Sequence, residues 1–152
     1  MKLIVKTILD APVDTVYSAL RQPRLLDHVA APVIAFTPEG ETTTVWPEGA
    51  RRYRMRFFGV VPIGWQIIDV SFAESRAGER LMRDRGSGAL ARRWAHLCVL
   101  AALPGGRTAF RDELDVGAGL LTPSVWLFAR CYYRHRQRRL RRLARAGFPG
   151  YV

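Results

Sequence analysis

Residues 122–146, TPSVWLFARCYYRHRQRRLRRLARA, decide how the fold of this chain is predicted. After Thr122-Pro123 there is no further proline or glycine until Gly147, which favours one helix of about 24 residues and about 36 Å. One arc of its helical wheel carries Arg130, Arg134, Arg138, Arg141, Arg142 and Arg145. The opposite arc carries Leu121, Val125, Phe128, Ala129, Tyr132, Tyr133, Leu140 and Leu143. The run therefore predicts a long amphipathic helix that covers one face of a small domain.

The residues before this helix are predicted to form mainly short strands. Residues 2–9 are rich in aliphatic and β-branched side chains, and two short helical segments follow before residue 30. About six antiparallel strands come next, an order of elements that favours an α+β fold. We expect a curved sheet closed by the long helix, with a ligand cavity between the two layers. We also expect a short strand at residues 42–46 and a connection at residues 59–64.

Composition indicates one globular domain covering residues 1–152. The hydrophobic fraction is 49%, which is too high for a disordered chain of this length. Cys98 and Cys131 are too few for a disulfide framework, and the amino terminus lacks the apolar stretch of a signal peptide. We therefore expect a cytoplasmic protein, either a monomer or a homodimer.

The net charge of +11 comes almost wholly from arginine, with 22 arginines and 2 lysines. We interpret the excess either as a solvated helix face or as a contact surface for an anionic membrane or a partner protein. The arginines concerned are Arg134, Arg138, Arg141, Arg142 and Arg145. Nucleic acid is not expected as a partner, because no aromatic side chains alternate with the arginines on that face.

Polar residues on the last two predicted strands are the candidate chemical groups. Asp112 falls on the more apolar face of residues 107–116, where an unpaired carboxylate is unfavourable. On the neighbouring strand His96 alternates in step with Trp94, although the opposite face of that strand is equally apolar. If His96 points inward, it comes within hydrogen-bond reach of Asp112. The pair then links two strands, orients a ligand, or acts as a general base whose tautomer Asp112 fixes.

Arg136 lies within the apolar arc of the long helix, and two placements are open for it. A buried arginine needs an anion such as Asp112 or a ligand carboxylate. A helix that extends past the sheet edge would instead let Arg136 reach water. The candidate ligand-binding residues are Tyr53, Met55, Phe57, Trp94, His96, Asp112, Trp126, Tyr133 and Arg136.

Motifs for cofactor and metal chemistry are missing from the sequence. There is no Gly-x-Ser-x-Gly, Walker-type loop or dinucleotide fingerprint. His28, His96 and His135 show no metal-ligand spacing. We therefore expect neither a cofactor nor a bound metal.

Three segments match the pattern of a known family. Residues 8–17, ILDAPVDTVY, are similar to its opening strand, Ala-Pro pair, acidic residue and Val-aromatic pair. A Trp-x-His strand and a Gly-Gly-x-Thr strand that ends in Asp are represented by Asp84, Gly88, Trp94, His96, Gly105–Thr108 and Asp112. The chain thus resembles the START-like helix-grip superfamily, in its polyketide cyclase/dehydrase and lipid-transport branch. The resemblance implies a curved antiparallel sheet wrapped on a long C-terminal helix, with two short helices after the first strand.

The resemblance does not decide function, because the superfamily includes lipid carriers, hormone receptors and cyclases. Our first expectation is that the domain binds a hydrophobic small molecule or lipid without transforming it. The alternative is a cofactor-free cyclase or dehydratase that uses His96 and Asp112. A second alternative is a protein- or membrane-interaction module that uses the arginine face. A cone-shaped α+β domain is the alternative fold, although such folds usually open with helices and close with a strand.

Overall fold

A computed structural model of the chain describes residues 1–75 and 77–151. The helices are α1 (Val13–Leu20), α2 (Pro23–Ala30) and α3 (Thr122–Arg145), and a short 3₁₀ turn, Gly119–Leu121, precedes α3. The strands are β1 (Lys2–Leu9), β2 (Ile34–Pro38), β3 (Gly49–Phe57), β4 (Val61–Glu74), β5 (Arg80–Gly88), β6 (Arg93–Leu103) and β7 (Arg107–Gly117). None of the described helices is long and apolar enough to cross a bilayer.

The described strands form one antiparallel sheet in the order β1-β7-β6-β5-β4-β3-β2. Strands from β2 to β7 are joined by successive hairpins, whereas β1 pairs with the last strand, so that Leu3 lies opposite Leu114. Helix α3 lies across the sheet and packs against β1, β7 and α2. This is the predicted helix-grip α+β fold, and the prediction is confirmed.

Helix α3 has the bounds and the inner face that its sequence pattern predicts. Its 24 residues bury Ala129, Tyr132, Tyr133, Arg136, Gln137, Leu140, Leu143 and Ala144. The helix ends before Gly147, whose φ of 75° lies in the left-handed region that glycine adopts without strain. Arg136 is buried in the middle of the helix, which excludes the alternative in which it lies beyond the sheet edge.

Strand alternation also places the inward side chains as predicted. Tyr53 and Met55 are buried on β3, whereas Arg52, Arg54 and Arg56, which alternate with them, are exposed. On β7 the inward set is Phe110, Asp112, Leu114 and Val116, all nearly inaccessible to water. The alternation therefore fixes which residues of these two strands point to the inner face of the sheet.

Two expectations about local structure are wrong. Residues 42–46 form no strand, because Trp46 turns inward and its backbone N–H donates to the Arg21 carbonyl at 2.7 Å. The connection expected at residues 59–64 is mostly strand, since β4 begins at Val61 directly after the turn. The β3–β4 register shifts between Met55 and Arg56, and such a bulge accommodates the missing N–H of Pro62 opposite Arg56.

Candidate functional site

A cavity of about 320 Å³ lies between the inner face of the sheet and helices α2 and α3. Its walls are mainly aliphatic and aromatic, with Val29, Met55, Phe57, Trp94, Val125 and Phe128 among the lining residues. The α3 residues that line the cavity fall between Ser124 and Arg136, whereas Leu140 and Leu143, farther along the helix, belong to an apolar cluster with Phe110. The long helix and the sheet therefore pack tightly at one end and leave a hollow toward the other.

One end of this cavity meets a buried polar cluster centred on Asp112. The Asp112 carboxylate accepts hydrogen bonds from Nε2 of His96 at 2.8 Å and from Nη1 of Arg136 at 3.0 Å. Its second oxygen accepts from Nε2 of Gln137 at 2.8 Å. Cys98 lies directly opposite Asp112 in the β6–β7 register, and His96 lies two residues earlier on the same face of β6. The contact between His96 and Asp112 is therefore a diagonal cross-strand pair.

The charges in this cluster are fixed by burial and by proximity. Burial alone would raise the pKa of Asp112, but the Arg136 guanidinium and the hydrogen bond from His96 together hold that pKa below its usual value. Burial would lower the pKa of Arg136, but Asp112 reverses this and raises it. Burial also lowers the pKa of His96, and the nearby Arg136 adds to that effect. The cluster at neutral pH thus holds an Asp112–Arg136 ion pair beside a neutral imidazole.

The hydrogen bond to Asp112 selects the tautomer of that imidazole. Nη1 of Arg136 also lies 3.2 Å from Nε2 of His96, but Nη1 donates to Asp112. The ionised carboxylate only accepts, so the shorter contact of 2.8 Å puts the proton on Nε2 and leaves the free lone pair on Nδ1. His96 also lines the cavity, and its ring lies 4.9 Å from the ring of Tyr133. The only basic nitrogen of His96 is therefore its Nδ1.

His96, Cys98 and Asp112 place three ligand-type atoms within 4.8 Å of one another. The arrangement does not suit a cation, because Arg136 already brings a positive charge to within 3.0 Å of the carboxylate. Burial raises the pKa of the Cys98 thiol to about 12, so the thiol stays protonated. These residues form a hydrogen-bonded polar cluster rather than a metal centre.

Two buried polar atoms of residues that line the cavity have no hydrogen-bond partner among the described residues. They are the hydroxyl of Tyr132 and Nε of Arg136, in residues that are 5% and 7% exposed. Both residues line the cavity, one turn apart on α3. An unpaired buried donor is unfavourable, and both atoms are themselves enclosed, with almost no surface accessible to solvent.

Asp84 is a further polar residue of the cavity wall, and it extends from β5. Its carboxyl accepts a hydrogen bond from the backbone N–H of Asp69 at 2.8 Å and is otherwise enclosed. Burial raises the pKa of Asp84 to about 7, although the Asp69 hydrogen bond and the Arg136 charge oppose the rise. The carboxyl is therefore partly protonated near neutral pH and can donate as well as accept.

The structure brings most of the predicted site residues to the cavity. Met55, Phe57, Trp94, His96, Tyr133 and Arg136 line it. Asp112 lies beneath the wall and acts through His96 and Arg136.

Tyr53 and Trp126 are placed elsewhere, and the structure corrects both positions. Tyr53 packs between Phe36 and Trp46, with ring centres 6.3 and 6.0 Å away. The indole N–H of Trp126 donates to the Lys2 carbonyl at 2.9 Å, which turns the ring toward the edge strand β1. A helical wheel separates buried from exposed arcs but does not tell which buried residues face a cavity.

Sequence reasoning missed Gln137, Tyr132 and Asp84 as site residues. Gln137 also donates to the Val5 carbonyl at 2.9 Å, so it ties α3 to β1 as well as to Asp112. Its position four residues after Tyr133, on the inner arc of the helix, was an available signal. Asp84 alternates in step with the partly buried Met82 on β5, and that was the corresponding signal for a buried acid.

The predicted arginine face lies on the outside of α3. Arg134, Arg138, Arg141, Arg142 and Arg145 are all exposed. Three of them border a groove of about 550 Å³ together with Arg130 and with Lys2 and Lys6 of β1. Arg145 lies 3.5 Å from Asp10. A partner for this face stays a prediction.

Comparison with known proteins assigns the family. Residues 7–144 match a family model described as a domain of unknown function, DUF8410. The chain belongs to this family. No curated protein is significantly similar to this family member.

Solved structures show that the DUF8410 chain has a START-like fold. A START superfamily protein from Mycobacterium smegmatis superimposes with a TM-score of 0.69 at 15% identity, covering 95% of this chain and 97% of that one. An aromatase/cyclase from Streptomyces sp. R1128 gives a TM-score of 0.61 at 13% identity, with coverage of 95% and 93%. A protein from Thermus thermophilus gives 0.68 at 12% identity, with coverage of 96% and 98%. At these identities the likeness concerns the fold.

Proposed function

We propose that residues 1–152 form one ligand-binding domain whose cavity holds a hydrophobic small molecule or lipid with one polar, hydrogen-bond-accepting end. The observation that carries the proposal is an otherwise apolar cavity lined by Tyr132 and Arg136, two residues that each have a buried donor without a hydrogen-bond partner, which a small rotation of the side chain would present to a ligand. Apolar walls supply affinity, and a few placed polar groups fix orientation. The START-like fold supports the proposal, since the layers of this fold meet around such a hollow.

The size of the cavity limits the ligand. Its 320 Å³ is about twice the volume of an apolar protein cavity that binds benzene. A body of about two or three fused six-membered rings, or a branched chain of similar volume, fits this space. A diacyl lipid is too large to be enclosed completely and would leave part of its chains at the mouth.

The polar wall groups specify what the ligand presents. Tyr132 and Arg136 donate, so the ligand end nearest to them is a carbonyl, phenolate or carboxylate oxygen. Asp84, with a pKa of about 7, either accepts from a ligand hydroxyl or donates to a ligand carbonyl. A hydrocarbon without an oxygen atom leaves the Tyr132 and Arg136 donors unsatisfied and is disfavoured.

The proposal is tested with 1-anilinonaphthalene-8-sulfonate, a fused-ring probe whose sulfonate only accepts hydrogen bonds. Val125→Trp fills the cavity from α3 and should abolish probe fluorescence. Tyr132→Phe removes one donor and should weaken binding by about two- to tenfold. The same substitution should slightly stabilise the empty protein, because it removes an unpaired buried hydroxyl.

Tyr17→Phe is the matched control, since its hydroxyl donates to the Leu81 carbonyl outside the cavity. Equal probe affinity in Tyr132→Phe and Tyr17→Phe would refute the proposal that Tyr132 donates a hydrogen bond to the polar end of the ligand. Unchanged fluorescence in Val125→Trp would remove the cavity assignment. Mass spectrometry of organic extracts of the native protein then identifies the natural ligand.

A cofactor-free cyclase or dehydratase is the second candidate, and the geometry of His96 favours it. Asp112 holds Nε2 as the protonated nitrogen, so Nδ1 is left as a general base on the cavity wall. The structural likeness to an aromatase/cyclase supports the same candidate. Burial, and then the Arg136 cation, lower the pKa of His96 and weaken that base, which is why ligand orientation is the first proposal.

A poly-β-ketone thioester mimic tests this second candidate. His96→Gln should abolish ring closure while 1-anilinonaphthalene-8-sulfonate still binds. Absence of ring closure by the unaltered protein would eliminate the enzymatic candidate and leave the binding proposal untouched.

A further inference from the structure

Three loop tips at one end of the molecule expose large apolar side chains. We call them the apolar tips: the β3–β4 turn with Phe58, Val60 and Val61, the β5–β6 loop with Leu90, and the 3₁₀ turn with Leu120 and Leu121. Phe58 is 67% exposed, Val60 76% and Leu120 fully exposed. Single exposed apolar residues are common, but several large ones gathered at one end of a protein mark an interaction surface.

Contacts within the fold place the three tips together. Phe57, which precedes the first tip, packs on Phe128 of α3 with ring centres 5.4 Å apart. The backbone N–H of Ala89 in the second tip donates to the Trp65 carbonyl near the start of β4 at 2.9 Å. Leu90 and Leu121 line the same cavity, so the second and third tips border its mouth.

The first tip keeps its phenylalanine against two unfavourable conditions. Phe58 has a φ of 49°, in the left-handed region that disfavours bulky side chains, and Gly59 follows with a φ of 71°. The backbone N–H of Val60 donates to the Phe57 carbonyl at 2.9 Å, and a β-turn with two successive left-handed residues normally places Asn or Asp before the glycine. Phenylalanine is unfavourable at this position both because its side chain is exposed to water and because its backbone is left-handed. An apolar medium that contacts the tip from outside the molecule would explain why phenylalanine is present there.

The charges around the tips identify that medium. Residues 56–64, 88–93 and 117–128 contain no acidic residue and include Arg56, Arg92 and Arg93. Arg56 and Arg92 are exposed and form no salt bridge to any residue within the described ranges. Two copies meeting tip to tip would bring these cations together, whereas an anionic surface would attract them.

We propose that the apolar tips insert into a bilayer that contains anionic lipids, with Arg56 and Arg92 held at the headgroups. Three separate convex loops suit penetration between lipids better than a flat protein contact, and their side chains supply the apolar area that interfacial binding needs. This surface is distinct from the arginine face of α3. It places the cavity mouth at the membrane, and it does not depend on what the cavity holds.

Co-sedimentation of the full chain with vesicles tests the proposal. Equimolar phosphatidylcholine and phosphatidylglycerol vesicles should bind the protein more tightly than phosphatidylcholine alone. Phe58→Ser/Val60→Ser should weaken binding by at least about tenfold, because two apolar side chains no longer leave water. Its matched control is Ile4→Ser/Ile8→Ser, which removes two exposed side chains from the outer face of β1 and should bind like the unaltered protein.

Charge variants separate the two basic surfaces. Arg56→Gln/Arg92→Gln should weaken binding to the mixed vesicles by about tenfold, whereas Arg138→Gln/Arg142→Gln should have a smaller effect. An equal or larger effect of the second pair would overturn the proposal in favour of the arginine face. Vesicle binding unchanged in Phe58→Ser/Val60→Ser would also overturn it. The proposal fails as well if gel filtration shows a dimer that this variant converts to a monomer, because a second copy then covers the tips.

Discussion

Replacing Asp84 with asparagine should stabilise the protein above pH 7 and leave its stability nearly unchanged near pH 4. Asp84 is 9% exposed, and burial raises the pKa of its carboxyl to about 7. Asparagine has nearly the same shape and keeps an oxygen that accepts the 2.8 Å hydrogen bond from the Asp69 backbone N–H. The substitution therefore removes an ionisable proton and little else.

The expected magnitude follows from the difference between the folded and unfolded pKa values. The usual value of 3.8 rises to about 7 in the fold, and each pKa unit corresponds to about 1.4 kcal/mol. Between these two values the unfolded chain has lost the proton and the folded chain retains it. The free energy of unfolding therefore falls as pH rises through this window and levels off above the folded pKa. The asparagine variant should exceed the unaltered protein by about 4 kcal/mol at about pH 8.

Urea denaturation at about pH 4 and about pH 8 measures this difference. Contributions from Asp112 and His96 cancel, because both proteins contain them. In thermal unfolding the same change should raise the midpoint by about 10 °C at the higher pH. Glu41→Gln removes an exposed carboxyl and is the control that should show no pH-dependent gain. A stability difference between Asp84→Asn and the unaltered protein that is the same at both pH values would refute the reasoning.

Two further predictions concern the buried cluster. Asp112→Ala leaves the Arg136 charge buried without its anion, so urea denaturation should show a free energy of unfolding lower by about 3–5 kcal/mol. Asp112→Ala/Arg136→Met removes both charges and should recover part of that loss. An unchanged free energy of unfolding in the single variant would contradict the ion pair. Ellman's reagent should react with Cys131 alone in the native protein, because Cys98 is inaccessible and burial raises its thiol pKa to about 12. In denaturant the reagent should react with both thiols. Rapid reaction of two thiols in the native protein would show that the buried cluster opens.

The helix-grip architecture could be predicted because its signals are local. The arcs of residues 122–146 define α3, and strict alternation places Asp112 inward on β7. His96 could not be assigned a face, because both sides of β6 are apolar and a register slip of one residue reverses them. The structure settles that face through the contact with Asp112.

The cavity residues were harder to predict because they depend on how two layers meet. Arg136 and Trp126 both lie on α3, yet one reaches the polar cluster and the other turns to β1. That difference arises from where α3 crosses the sheet, which no local pattern encodes. Asp84 was overlooked for a related reason, since the burial of β5 depends on the curvature of the sheet beside it.

The pairing of β1 with β7 has a consequence for how the chain is made. The Met1 amino group lies against Asp115, 114 residues later in the sequence, and Gln137 of the final helix donates to the Val5 carbonyl. During synthesis the first strand must therefore wait on the order of ten seconds for its partner to be translated. Over that interval Leu3 and Leu9 remain uncovered, so chaperone binding to the nascent amino-terminal segment is expected until the last strand leaves the ribosome.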